Sequence, residues 1–234
     1  MFVTEIQKRL AALGDPRVAA VSRRFFKTGP GEYGEGDLFR GIRVPVLRSL
    51  AREYQSISLP EAGRLLGSPF HEDRLLALLL LVRLYARGDG AAREKVYRLY
   101  LKSTRFVNNW DLVDSSAEHV VGAYLWDKGR EPLQRLAKSA DLWERRIAVL
   151  ATFHFIRRGE FGETLGIARV LLSDPEDLIH KAVGWMLREV GERDPEAEEA
   201  FLKEHHRRMP RVMLRYAIEK FPEEKRRRYL KGEV

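Results

Sequence analysis

The chain has 234 residues, 44% hydrophobic and 32% charged, with no cysteine and a net charge of +8. Those figures exclude a disulfide scaffold, a thiolate metal site and a disordered chain. The most apolar run, Leu75 to Val82, is bounded by Arg74 and Arg83 and is too short to span a bilayer, so no membrane partner is expected. Of the basic residues 31 are arginine and 11 lysine, and a planar guanidinium suits phosphate, so a polyanionic partner such as nucleic acid is expected. Met1 to Lys8 lacks the apolar segment of a secretory signal, which with the missing cysteines points to a cytoplasmic protein.

Apolar periodicity predicts helices over 4–13, 16–27, 45–54, 59–66, 70–87, 91–103, 110–126, 131–138, 141–158, 162–172, 175–190, 195–206, 210–220 and 222–229. Pro16, Pro45, Pro60, Pro69, Pro132, Pro175, Pro195, Pro210 and Pro222 fall at or near helix starts, where a missing N–H costs nothing. Between the second and third helices, Thr28–Asp37 holds a formal GxGxxG at Gly29, Gly31 and Gly34. It follows a basic helical segment instead of a strand, and its acidic residues would repel pyrophosphate. A turn-rich connector or short hairpin is expected, not a dinucleotide site.

Ser68–Ala77 aligns with Ser139–Ala148 at an offset of 71, and Ser103 and Ser173 extend the series in steps of 35, 36 and 34 residues. Such a period without strand alternation predicts an all-α fold, a right-handed α-solenoid superhelix of HEAT-like repeats forming one domain over 1–234. Equivalent positions would line a concave face, and a groove carrying Arg74, Arg145, Arg146 and Lys181 would fit a phosphate backbone. Ordinary solvated helix starts are the alternative.

Asn108 and Asn109, the chain's two asparagines, precede Trp110-Asp111-Leu112-Val113-Asp114. Asparagine caps, aspartate in the first turn and an apolar stretch beyond predict a helix start. Trp110 and Asp114 are four apart and share a face, which suits contact with a sugar whose bond is to break. The competing reading is a capped helix with a core tryptophan. The histidines are scattered, with no HExxH, zinc-type spacing or Walker loop, so neither metal nor cofactor is expected.

With these features the chain resembles the AlkD-type DNA alkylation repair glycosylases over nearly its whole length. The resemblance rests on Thr28–Asp37 with Phe39–Pro45, Phe106–Asp114, Trp143–Ala148 and Lys181–Glu189. It implies a HEAT-like superhelix holding double-stranded DNA in a concave cleft and hydrolysing the N-glycosidic bond of cationic N3- or N7-alkylated purines without base flipping. The catalytic aspartate of the family falls on Asp114, its two cleft tryptophans on Trp110 and Trp185, and its phosphate-contacting arginine on Arg146. An aromatic that is tyrosine in the well-studied branch is Phe25 here, and the acidic Gly-rich loop is longer. The resemblance implies a monomer with no obligate protein partner. The alternatives are a non-catalytic protein that binds damaged or branched DNA, and a peptide-binding scaffold, which the basic charge disfavours.

Overall fold

The computed structural model describes residues 2–234, with side chains from residue 3 onward. Two compact units divide the chain, one ending at Val120 and the other Val121–Val234. Every named element among the described residues is helical, and a single isolated bridge pairs Leu38 with Phe70. No helix among them is long and apolar enough to cross a membrane.

The first unit contains α1 (Phe2–Leu13), α2 (Pro16–Phe25), α3 (Val44–Glu53), α4 (Leu59–Leu66), α5 (His71–Arg87), α6 (Gly90–Lys102) and α7 (Trp110–Asp114). Helix α5 is its axis: α3, α4, α6 and α7 all pack on it, and Leu76, Leu78, Leu80 and Leu81 are fully buried. Each such leucine contributes roughly 1.5–3 kcal/mol of burial. Helix starts are written locally. Asp15 Oδ1 accepts from Arg17 N at 2.8 Å and Asp89 Oδ1 from Ala92 N at 2.8 Å, while Ser58 and Glu61 form a capping box.

The second unit contains α8 (Ala123–Leu125), α9 (Glu131–Ala137), α10 (Leu142–Ala151), α11 (Phe153–Ile156), α12 (Gly162–Val170), α13 (Asp177–Gly191), α14 (Pro195–His205), α15 (Arg211–Ala217) and α16 (Glu223–Lys231). Here α13 is the axis, packed by α10, α12, α14 and α15 over Ile179, Val183, Met186, Leu187 and Val190. Gly184 sets the approach of α15: a Cβ there would lie 2.4 Å from Met213 O and 2.5 Å from Tyr216 Cβ.

Two helices predicted as continuous are broken. The 110–126 segment stops at Asp114, resumes as a π-helical turn over Glu118–Gly122, and ends in α8. Ser116 Oγ donates to Leu112 O at 2.5 Å and Ser115 Oγ to the same carbonyl at 3.2 Å, competing with the helix for its own acceptors. The 141–158 segment breaks at Thr152, whose Oγ1 donates to Val149 O at 2.6 Å. Nor is the Gly-rich loop a hairpin. Its turns place Gly31 and Gly36 at positive φ, and its acids bind its own amides, Glu32 accepting from Gly29 N and Glu35 from Gly31 N.

Candidate functional site

In the first unit the site grows from the N-terminus of α7. Asn109 is the N-cap, its Oδ1 accepting from Trp110 N at 2.9 Å, as its position in sequence predicts. Trp110 and Asp114 open and close the five-residue helix and both are partly buried. Leu112 and Val113 between them are fully buried, which fixes the turn against the unit's core. Asp114 lies close enough to Tyr100 to disfavour its ionisation. Burial pushes that phenol well above its ordinary range, and the negative charge of Asp114 adds to the effect.

Asp111 has a different task. Its Oδ1 accepts from Leu112 N at 2.9 Å and its Oδ2 from His71 Nε2 at 2.9 Å. On the other edge of the same imidazole, His71 Nδ1 donates to Asp37 Oδ2 at 3.2 Å. With a carboxylate facing each ring nitrogen, only the imidazolium satisfies both. Burial opposes that charge, but the hydrogen bonds to Asp111 and Asp37 outweigh it and raise the pKa of His71 from 6.5 to about 9. Burial also works against ionised Asp37, yet His71 and Arg74 hold its carboxyl below the usual carboxylate range. The two carboxylates lie on opposite edges of the ring. No cluster of metal-ligating side chains occurs among the described residues.

Aromatic rings continue this arrangement. His71 stacks on Phe39, with centroids 4.6 Å apart and planes 20° apart; Phe39 stacks on Phe26 at 5.2 Å, and Phe26 on Trp110 at 5.4 Å. Phe25 meets Trp110 edge-on at 5.8 Å and is 62% exposed. The apolar contact of this position with Trp110 is therefore made without the hydroxyl.

The rest of the polar start of α5 ties down the segment after the Gly-rich loop. Glu72 accepts from the amides of Arg40, Gly41 and Ile42, and Asp73 from Arg40 and Ser68. Gly41 has φ of +83°, and a Cβ there would come within 2.0 Å of Asp15 O.

Arg74 and Arg145, placed by the sequence in a phosphate groove, are both buried and engaged in the protein. Arg74 Nη1 donates to Ser68 O and Pro69 O, and its Nη2 to Asp37 Oδ1 at 2.7 Å. Arg145 Nη1 donates to Ser139 O and Ala140 O, with Nε on Asp174 Oδ2 at 2.6 Å. The repeat offset thus marks a shared latch on the preceding loop.

The second unit carries the remaining expected residues. Arg146, also buried, donates from Nη1 to Leu178 O at 2.5 Å. Lys181 pairs with Asp177 one turn earlier at 2.6 Å. Trp185 is partly exposed; its Nε1 donates to Glu189 Oε1 at 3.0 Å, and Phe153 meets its ring at 6.0 Å. The sequence reading missed the functional company of α7: Phe26, Asp37 and His71. One signal was available. His71-Glu72-Asp73-Arg74 puts four polar residues directly before the most apolar run of the chain, where a helix cannot turn all of them to solvent.

The all-helical fold of the chain has counterparts among solved structures. Its fold is shared with a predicted DNA alkylation repair enzyme from Enterococcus faecalis, at 17% identity and a TM-score of 0.68, covering 90% of this chain and 97% of that one. AlkD2 from Streptococcus mutans is similar at 16% identity and a TM-score of 0.55, with 88% and 98% covered. The smu.31 protein of Streptococcus mutans UA159 is similar at 18% identity and a TM-score of 0.54, with 76% and 92% covered. No curated protein matches the chain. Residues 6–221 match the model of the DNA alkylation repair enzyme family, and the chain belongs to that family.

Proposed function

We propose that the protein is a DNA N-glycosylase that hydrolyses the N-glycosidic bond of cationic N3- or N7-alkylated purines in double-stranded DNA, without base flipping. The observation that carries this reading is the short capped helix α7, which Trp110 and Asp114 open and close, both partly buried. The resemblance puts the family's catalytic aspartate on Asp114, while Asp111 holds His71 and Leu112 N. Membership of the DNA alkylation repair enzyme family supports alkylated DNA as the substrate.

The chemistry suits these groups. Alkylation places a positive charge on the purine, which then leaves without protonation. What remains is to stabilise an oxocarbenium-like sugar and direct water, and one carboxylate beside C1′ serves both needs. Trp110 offers a π-face to the developing charge, and the resemblance gives Trp185 the role of a sugar-contacting tryptophan. The half-exposed Lys181 is assigned to phosphate; the resemblance gives Arg146 the same role, which its buried guanidinium, now on Leu178 O, serves only by turning outward. Arg74 and Arg145 serve the reading by fixing the loops that start their helices. The 234 residues act as one repeat domain and as a monomer, on cytoplasmic DNA, with no metal or cofactor.

The test is single-turnover release of base from a duplex holding one N7-methylguanine. Asp114→Asn should slow release by roughly 100-fold or more, about 3 kcal/mol of transition-state stabilisation, while affinity for unmodified duplex holds or tightens. Crippling by Asp111→Asn with a mild Asp114→Asn would reverse the assignment. An unmutated protein that binds duplex but releases no base would establish the non-catalytic binder instead.

A further inference from the structure

We propose that His71, by bridging Asp37 and Asp111, is the positioning residue of the α7 turn, tying the Gly-rich loop to the helix that presents Trp110 and Asp114. The inference rests on the glycosylase reading for its kinetic consequence but has a structural consequence of its own.

Three separate stretches of chain meet on one imidazole. Asp37 ends the Gly-rich loop, His71 opens α5, and Asp111 is the second residue of α7. The ring is 2% exposed, and both of its nitrogens are used. The ring stacks on Phe39 and lies tilted against Phe26 at 4.8 Å, and Phe26 in turn stacks on Trp110. Trp110 is thus held twice from His71: along the backbone through its neighbour Asp111, and through the aromatic stack. A five-residue helix has too few internal hydrogen bonds to fix its own orientation, so these contacts set it.

The charged groups around the ring determine how the device responds to pH. Asp111 on α7 and Asp37 on the loop favour the imidazolium; Arg74, one turn along α5, opposes it and is itself paired with Asp37. Glu72 and Asp73, beside His71 on α5, are turned to the Arg40–Ile42 segment and to Ser68. Loss of the proton near pH 9 leaves one nitrogen without a hydrogen to donate, so one carboxylate is dropped and α7 is tethered on one side only.

The experiment follows base release and the geometry of Trp110 over pH 6–10 in the full chain. Wild type should release N7-methylguanine at a steady rate to about pH 8 and lose roughly tenfold through a limb centred near 9. Asp111→Asn should move that limb down by about one unit, since it removes one of the two charges that hold the proton. His71→Gln should be about tenfold slower at pH 7 and show no limb. In parallel, the protein is labelled with 5-fluorotryptophan and the Trp110 resonance assigned by its loss in Trp110→Phe. That resonance should shift with the same midpoint in wild type and stay fixed in His71→Gln. A folded His71→Gln with unchanged rate and limb would overturn the proposal, as would a Trp110 resonance that does not titrate. If wild type releases no base, the glycosylase reading fails, and the fluorine titration decides the positioning role alone. If His71→Gln does not fold, Asp111→Asn carries the test, and an unmoved midpoint refutes the proposal.

Discussion

Replacing Glu198 by glutamine should make this protein more stable at neutral pH and leave it nearly unchanged at acid pH. The residue lies on α14 with 2% of its surface exposed, and its Oε1 has no hydrogen-bond partner. The other oxygen lies against Gly191, so close that a Cβ there would sit 1.6 Å from Oε2. Gly191 is the last residue of α13, at the negative end of that helix. Burial lifts the pKa from 4.5 to about 8, against the pull of Lys225 and Arg188 and with the push of Glu199 and Glu192. The folded protein therefore keeps a proton that the unfolded chain gives up near pH 4.5, and stability falls as pH rises from there to about 8. Between pH 4.5 and pH 7 this group alone removes about 3 kcal/mol, at 1.36 kcal/mol per unit. Glutamine presents the same shape with no charge to bury. Urea unfolding at pH 4.5, 6, 7 and 8 should show a gain growing from near zero to about 2–3 kcal/mol, with Tm at pH 7 up by roughly 5 °C or more. A difference between variant and wild type that does not vary with pH, or a less stable variant at pH 7, would refute the reasoning.

Gly184→Ala should cost about 2 kcal/mol by thermal unfolding. The new methyl meets backbone at Met213 and the Cβ of Tyr216, and the gain of about 1 kcal/mol in helix propensity does not offset pushing α15 outward; a stabilised variant would contradict that packing. Arg146→Ala should reduce the salt dependence of duplex binding by about one unit in the log–log slope, and an unchanged slope would remove Arg146 from the phosphate surface.

What the sequence disclosed is what neighbouring residues encode. Asn109 before Trp110 acts as a cap because a cap needs only its own next turn. The 71-residue equivalence of Arg74 and Arg145 was legible for the same reason. The breaks after Asp114 and at Thr152 were not, because a serine or threonine inside a helix either faces outward or bonds back to a carbonyl, and composition does not say which. Trp110 and Asp114 stood out through spacing, whereas His71 looked isolated because its partners lie at positions 37 and 111. Arg74 and Arg145 show the opposite failure. Their equivalence is visible in the sequence, but both the phosphate groove and the solvated helix start put them outside, whereas the loop carbonyls and the acids at 37 and 174 draw them in.

Those two arginines also bear on how such a chain arises. Each holds the pair of carbonyls just ahead of its own helix, a reach of five or six residues that travels with any copied segment. The counter-charge does not travel. Arg74 takes it from Asp37, earlier in the chain, and Arg145 from Asp174, later in the chain. A duplicated segment thus arrives with half of its fastening built in and recruits the other half from whichever flank supplies an acid. The acid can therefore sit on either side of the segment while the arginine and its loop keep the same local geometry.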